Sequence, residues 1–168
     1  MQKGTSMRAG AVLLAVGLAL SACGSSDDES TATDDETTAT DDSTADSSGA
    51  IEVRLSEWMV EAPATAEAGS VTITAVNEGG ETHELVVVRA DSSDGFQVDE
   101  TGKVDEAGFA EGDFIGEIEE FEAGTTESGT FELDPGTYVL FCNIVEEEAD
   151  GTFESHFQQG METVITIG

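Results

Sequence analysis

Basic residues are nearly missing from this chain: five Lys and Arg stand against 37 Asp and Glu among 168 residues. Two of the five, Lys3 and Arg8, precede the one long apolar run, so everything after it is more acidic still. A chain this negative repels phosphate, which excludes nucleic acid and bare anionic lipid as partners. Cysteine and histidine are scarce as well, with two of each. No apolar run reaches the about 20 residues that a membrane-spanning helix needs. Helical periodicity is almost absent, and proline occurs twice.

What is present divides into three parts. Residues 1–22 have a basic start, the apolar run AGAVLLAVGLAL and small residues before Cys23, the pattern of a secretory signal. Leu20-Ser21-Ala22-Cys23 resembles the bacterial lipobox, which implies a cleaved signal peptide and a lipid on Cys23. The expected location is therefore outside the cytoplasm, anchored to the outer face of the cell membrane or in the periplasm. Residues 23–50 contain Ser, Thr, Asp, Glu, Ala and Gly but no aromatic, Val, Ile or Leu. Such a segment cannot bury enough apolar area to offset ordering entropy and is expected to be a disordered acidic tether. Residues 51–168 are the size of one domain.

Within that domain, short alternating or apolar segments recur between Gly-rich turns: 51–55, 71–77, 83–90, 114–121, 125–133, 138–142 and 163–167. Their number, length and spacing predict an all-β antiparallel Greek-key sandwich. Period-2 geometry places His83 on the same face as Leu85 and Val87. Residues 91–113, rich in Asp, Glu and Gly, read as a long excursion with one helical turn near Glu106. Gly136-Thr137-Tyr138 at a strand entry resembles a tyrosine corner, which assigns Tyr138 to the scaffold. Acids are spread through every segment, so their excess is read as adaptation of the whole surface to high salt. A docking face for a basic partner is the alternative.

The chemistry concentrates in 134–168. With Cys23 lipidated, Cys142 has no disulfide partner, and a lone exported thiol needs explaining. It is followed by His156 and Met161, and the other histidine is His83. Two imidazoles, a thiolate and a distant thioether are the donor set that suits copper in both oxidation states. Taken singly, His83 is as readily a core histidine, Met161 core filler and Cys142 a buried hydrophobe. Together they use every histidine and the one unpaired cysteine.

The same residues resemble the small blue copper proteins, the cupredoxins of the plastocyanin and amicyanin type. Asn77 ahead of His83 is similar to the family's first ligand loop. Gly136-x-Tyr138 running into Cys142 is similar to its approach to the thiolate, and His156-x-x-x-x-Met161 to its last two ligands. The resemblance covers 51–168, leaving 91–113 unmatched. It implies a cupredoxin-like fold and one type 1 copper ion held by His83, Cys142, His156 and Met161. It further implies single-electron transfer between unidentified redox proteins, with no catalysis and no small-molecule substrate. His83 is expected inside the sandwich, and His156 is expected to present its edge at the surface as the electron exit. A copper carrier or scavenger of the same fold, or a metal-free sandwich binding domain, are the competing functions. A copper oxidase needs further histidines, and none remain.

One feature departs from the family. Thirteen residues separate Cys142 from His156, where familiar members have a few. Asp150-Gly151, flanked by Ile144-Val145 and Phe153, predicts a hairpin that returns the chain to the site.

Overall fold

The structure, a computed structural model, describes residues 49–168. The expected signal peptide, the lipid site at Cys23 and nearly all of the tether lie outside the described residues.

Eleven strands form two facing sheets and a small hairpin. The first sheet contains β1 (Gly49–Ser56), β2 (Met59–Glu61), β4 (Gly69–Asn77) and β7 (Thr126–Leu133), in the order β2-β1-β4-β7. The second contains β3 (Thr65–Ala66), β5 (His83–Arg89), β6 (Phe114–Phe121), β8 (Gly136–Phe141) and β11 (Glu162–Ile167), in the order β3-β11-β8-β5-β6. β9 (Val145–Glu147) and β10 (Phe153–Ser155) pair only with each other. The chain is the expected all-β sandwich, with β1 starting at Gly49, two residues ahead of the boundary read from the sequence.

Two pairings depart from a purely antiparallel pattern: β1 runs parallel to β4, and β3 runs parallel to β11. The cause is a crossover. After β1 the chain passes through β3 on the other sheet before returning as β4, so β1 and β4 are not joined by a hairpin and can point the same way.

Alternation fixes the core between the sheets. β1 buries Ile51, Val53 and Leu55, and β4 buries Val71, Ile73 and Ala75. The second sheet answers with Leu85, Val87, Tyr138, Leu140, Ile165 and Ile167. Each fully buried aliphatic side chain contributes about 1.5–3 kcal/mol. The Tyr138 hydroxyl donates to the Asp134 carbonyl at 2.8 Å, which closes the tyrosine corner at the start of β8.

The segment after β5 is more ordered than its composition suggests. From His83 to Val88 every residue of β5 is buried, so this strand is covered on both faces. Leu85 and Val87 face the sandwich interior, whereas Val86 and Val88 belong to a second cluster with Val104, Val139 and Phe141. Phe96 and Phe109 pack against that cluster, with their rings edge-to-face at 4.8 Å. Residues 91–113 therefore roof the outer face of the second sheet, with the expected helical turn a 3₁₀ turn at Glu106–Gly108. That roof explains why β5 reads as an unbroken apolar run instead of an alternating one.

Candidate metal centre

His83 opens β5, where the ladder to β6 is irregular: His83 faces Phe121, while Leu85 already faces Ile118. The extra β6 residue is a bulge at the end of the sheet, a common device for aiming a side chain. The preceding loop is held by Asn77. Its side-chain NH₂ donates to the carbonyls of Glu81 (2.7 Å) and Phe121 (3.3 Å), and its side-chain oxygen accepts from Gly79 N–H at 3.0 Å.

Cys142 follows directly on β8, and its N–H donates to the Met161 carbonyl at 3.1 Å. The β8–β11 ladder thus continues one residue past its last strand pair, Phe141 with Glu162, and seats the thiol beside the start of β11. The expected hairpin is present: β9 and β10 pair from Glu147–Phe153 to Val145–Ser155, closed by the turn at Asp150-Gly151. Gly151 has φ of 84°, which favours glycine there. At the hairpin's base His156 N–H donates to Ile144 O at 3.0 Å, and Met161 N–H donates to His156 O at 3.1 Å.

The outcome is a convergence of three donors. His83 Nδ1 and His156 Nδ1 are 3.2 Å apart, and Cys142 Sγ lies 3.9 Å from the first and 3.3 Å from the second. All three side chains are fully buried, and they form a group able to hold a metal ion. Met161 is fully buried in the same core cluster and is tied by backbone to both Cys142 and His156. The structure thus brings the donor atoms of His83, Cys142 and His156 together, and places Met161 next to them in the backbone ladder.

One expectation is overturned. His156 does not present an edge at the surface; its relative exposure is 0%. Trp58 covers it edge-to-face, with ring centroids 5.0 Å apart, and Glu81 lies against its outer nitrogen. The long Cys142–His156 segment turns the histidine inward beneath the β1–β2 turn.

Burial sets the protonation states. It pushes the Cys142 thiol up to about 12, although the backbone N–H groups of Glu84 and Ile144 oppose the shift. Both imidazoles are held below their ordinary value, His83 by burial and then by His156, and His156 by burial. Two neutral imidazoles are ready to ligate, and the thiol gives up its proton only to something that stabilises the thiolate strongly.

Copper fits this donor set. Metal–ligand bonds of about 2.0–2.3 Å place donors around one ion roughly 3–4 Å apart, and the three separations fall in that range. Two imidazole nitrogens and one thiolate also match the soft-to-borderline preference of copper.

Several residues around the donors carried no clear signal in the sequence. Glu84 is 7% exposed and accepts from Asn143 N–H at 3.1 Å; burial raises its carboxyl to about 7. Asn143 is fully buried: its NH₂ donates to Val104 O (3.1 Å) and Glu106 Oε1 (2.7 Å), and its oxygen accepts from Val104 N–H (2.7 Å). Glu57 accepts from Gly80 N–H (2.7 Å) and Glu81 N–H (3.0 Å). A charged residue inside the apolar run of β5 was the available hint for Glu84, and the single tryptophan for Trp58. Glu57 and Glu81 are lost in the general acidity.

No family model matches the chain, and no curated protein sequence does. Among solved structures it is similar to dithionite-reduced auracyanin from the photosynthetic bacterium Roseiflexus castenholzii. That match is 25% identical with a TM-score of 0.53, covering 72% of this chain and 98% of the other. Auracyanin A of Chloroflexus aurantiacus, described as a "blue" copper protein, is 15% identical with a TM-score of 0.49, covering 71% and 100%. Auracyanin B is 20% identical with a TM-score of 0.48, covering 71% and 88%. A two-sheet sandwich with a buried His–Cys–His group at one end defines a cupredoxin-like domain. The fold is that of the blue copper cupredoxins, and the Roseiflexus auracyanin is similar to it over almost its whole length.

Proposed function

We propose that the protein is an extracytoplasmic electron carrier in which His83, Cys142 and His156 would hold one copper ion, with Met161 as a further, weaker donor. The observation that carries this reading is the approach of two Nδ1 atoms and one Sγ to within 3.2–3.9 Å in a fully buried pocket. Bound copper would supply a one-electron Cu(I)/Cu(II) couple. The side chains supply the rest. The imidazole nitrogens would suit both oxidation states, the Cys142 thiolate would be the strongest donor, and the packed core keeps the three donors in place.

Complete burial of the donors supports retention of the ion in preference to its exchange, and so favours an electron carrier over a copper carrier or scavenger. A copper oxidase needs further histidines, and the chain has only His83 and His156, so we assign neither a substrate nor an enzymatic step. The partners are redox proteins. The signal-like 1–22 segment and the lipobox-like cysteine support a lipoprotein tethered through Cys23 and the acidic 23–50 linker, on the outer face of the membrane or in the periplasm. The test is a copper titration of the soluble domain followed by potentiometry. The expected result is one tightly held copper per chain with a reversible one-electron wave. Weak binding at several equivalents, or an irreversible wave, contradicts the proposal.

A further inference from the structure

Behind each imidazole stands a carboxylate. Glu57 Oε1 lies 3.4 Å from His83 Nε2, and Glu81 Oε2 lies 3.6 Å from His156 Nε2. The two glutamates come from different loops, the β1–β2 turn and the β4–β5 connection, yet each meets a different ring on the side away from Cys142. Among the described residues, four buried side-chain nitrogen or oxygen atoms lack a hydrogen-bond partner. Three of them are His83 Nε2, His156 Nε2 and Glu81 Oε2.

We propose that Glu57 and Glu81 are positioning residues for the metal: each holds the proton of its imidazole on Nε2, and together they lower the reduction potential of the bound ion. The role of copper in this inference rests on the function proposed above; the tautomer part does not.

A neutral imidazole carries one N–H, on Nδ1 or Nε2. With the proton on Nδ1, the Nε2 lone pair would face a carboxylate, and both groups would be negative at that contact. With the proton on Nε2, the positive end of the N–H dipole lies on the carboxylate side of the ring, within charge–dipole reach at 3.4 and 3.6 Å, and the Nδ1 lone pair is left to the Cys142 side. The glutamates therefore select the form in which both Nδ1 atoms can ligate. That selection sets two lone pairs 3.2 Å apart, an arrangement that a cation between them relieves. A carboxylate behind a metal-bound imidazole also raises the basicity of the ligand. Two such charges favour Cu(II) over Cu(I).

The local backbone is shaped around this contact. Glu57 is held by the N–H groups of Gly80 and Glu81, so the same carboxylate that meets His83 also orders the loop carrying the second glutamate. A Cβ at position 79 would collide with Glu57 Oε1 and stand 2.9 Å from His83 Nε2. Only glycine leaves room there for the pair.

The experiment uses the isosteric variants Glu57→Gln and Glu81→Gln and their double variant, with Glu52→Gln, an exposed partner of Arg54 on β1, as the control. Loss of either carboxylate should weaken Cu(II) binding by roughly 10- to 100-fold. Each tenfold loss relative to Cu(I) reads as a rise of about 59 mV in midpoint potential. The control should leave the potential unchanged. Nitrogen-15 NMR of the metal-free protein at mildly alkaline pH supplies a second readout. Both rings should be Nε2–H in the wild type, and Nδ1–H should appear in the double variant. Unshifted potentials together with unchanged tautomers would overturn the proposal. If the wild-type protein takes up no copper, the functional reading and the tuning claim fall together. The tautomer shift then still decides whether the two carboxylates orient the rings.

Discussion

The amide of His156 is hydrogen-bonded to the carbonyl of Ile144 at 3.0 Å, although twelve positions separate them in the chain. This bond closes the base of the β9–β10 hairpin two residues after Cys142. It answers how a long segment can deliver a histidine beside a cysteine. The loop that matters to the site ends at Ile144 and His156, and the hairpin beyond is an appendage.

The first prediction follows from that closure. Replacing residues 146–154 by an Asn-Gly turn keeps the Val145–Ser155 pair and the Ile144–His156 bond. Copper affinity, measured by competition with a chelator, should stay within about tenfold of wild type, because surface loop length costs little. A larger loss would mean that the hairpin itself holds the ring.

Glu84 makes the metal-free fold pH-sensitive. Its carboxyl is raised from 4.5 to about 7, chiefly by burial, so the folded state favours the protonated form. The sign follows from linkage. The contribution is fully present below pH 4.5 and is lost as pH rises through about 7. At about 1.4 kcal/mol per unit the loss is about 3 kcal/mol. The buried imidazoles of His83 and His156 act in the opposite direction over this range, so the comparison is between proteins: from pH 5 to pH 8, urea unfolding of the metal-free wild type should lose more stability, or gain less, than Glu84→Gln does. An unchanged slope in the variant contradicts the assignment.

Asn143 fastens the roof of the second sheet to the metal-binding end. Its side chain holds both the N–H and the carbonyl of Val104. Asn143→Ala leaves these groups buried without partners and should cost about 1–3 kcal/mol. Hydrogen exchange should quicken at Val104 and its neighbours before it quickens in β1 or β4.

How much of this was legible in the sequence depends on what each residue answers to. β1 and β4 alternate because one face is wet, so Ile51, Val53, Leu55, Val71, Ile73 and Ala75 were readable as core. Tyr138, the Asp150-Gly151 turn and the four proposed ligands carry local spacing signals. Residues 91–113 did not, because their apolar positions, Phe96, Val104 and Phe109, meet a surface supplied by β5 and β8 and follow no period of their own. The burial of His156 escapes the sequence for a similar reason. Trp58 and Glu81 cover it from other parts of the chain, and nothing near position 156 announces them. The parallel β1–β4 pairing was hidden because strand periodicity is blind to direction.

The core supplies a plain stability check. Leu140 on β8 is fully buried between the sheets, two residues before the cysteine. Leu140→Ala should destabilise the domain by about 2–5 kcal/mol in denaturant unfolding. A cost below 1 kcal/mol would mean that the sandwich relaxes around the site more freely than its packing suggests.

The central claim is that Cys142, His83 and His156 hold copper together, and the visible absorption spectrum of the oxidised, copper-loaded protein tests it most directly. A thiolate bound to Cu(II) should give an intense visible band that bleaches on reduction and is absent in Cys142→Ala. A colourless copper-loaded protein, or a band that survives loss of Cys142, would contradict the account.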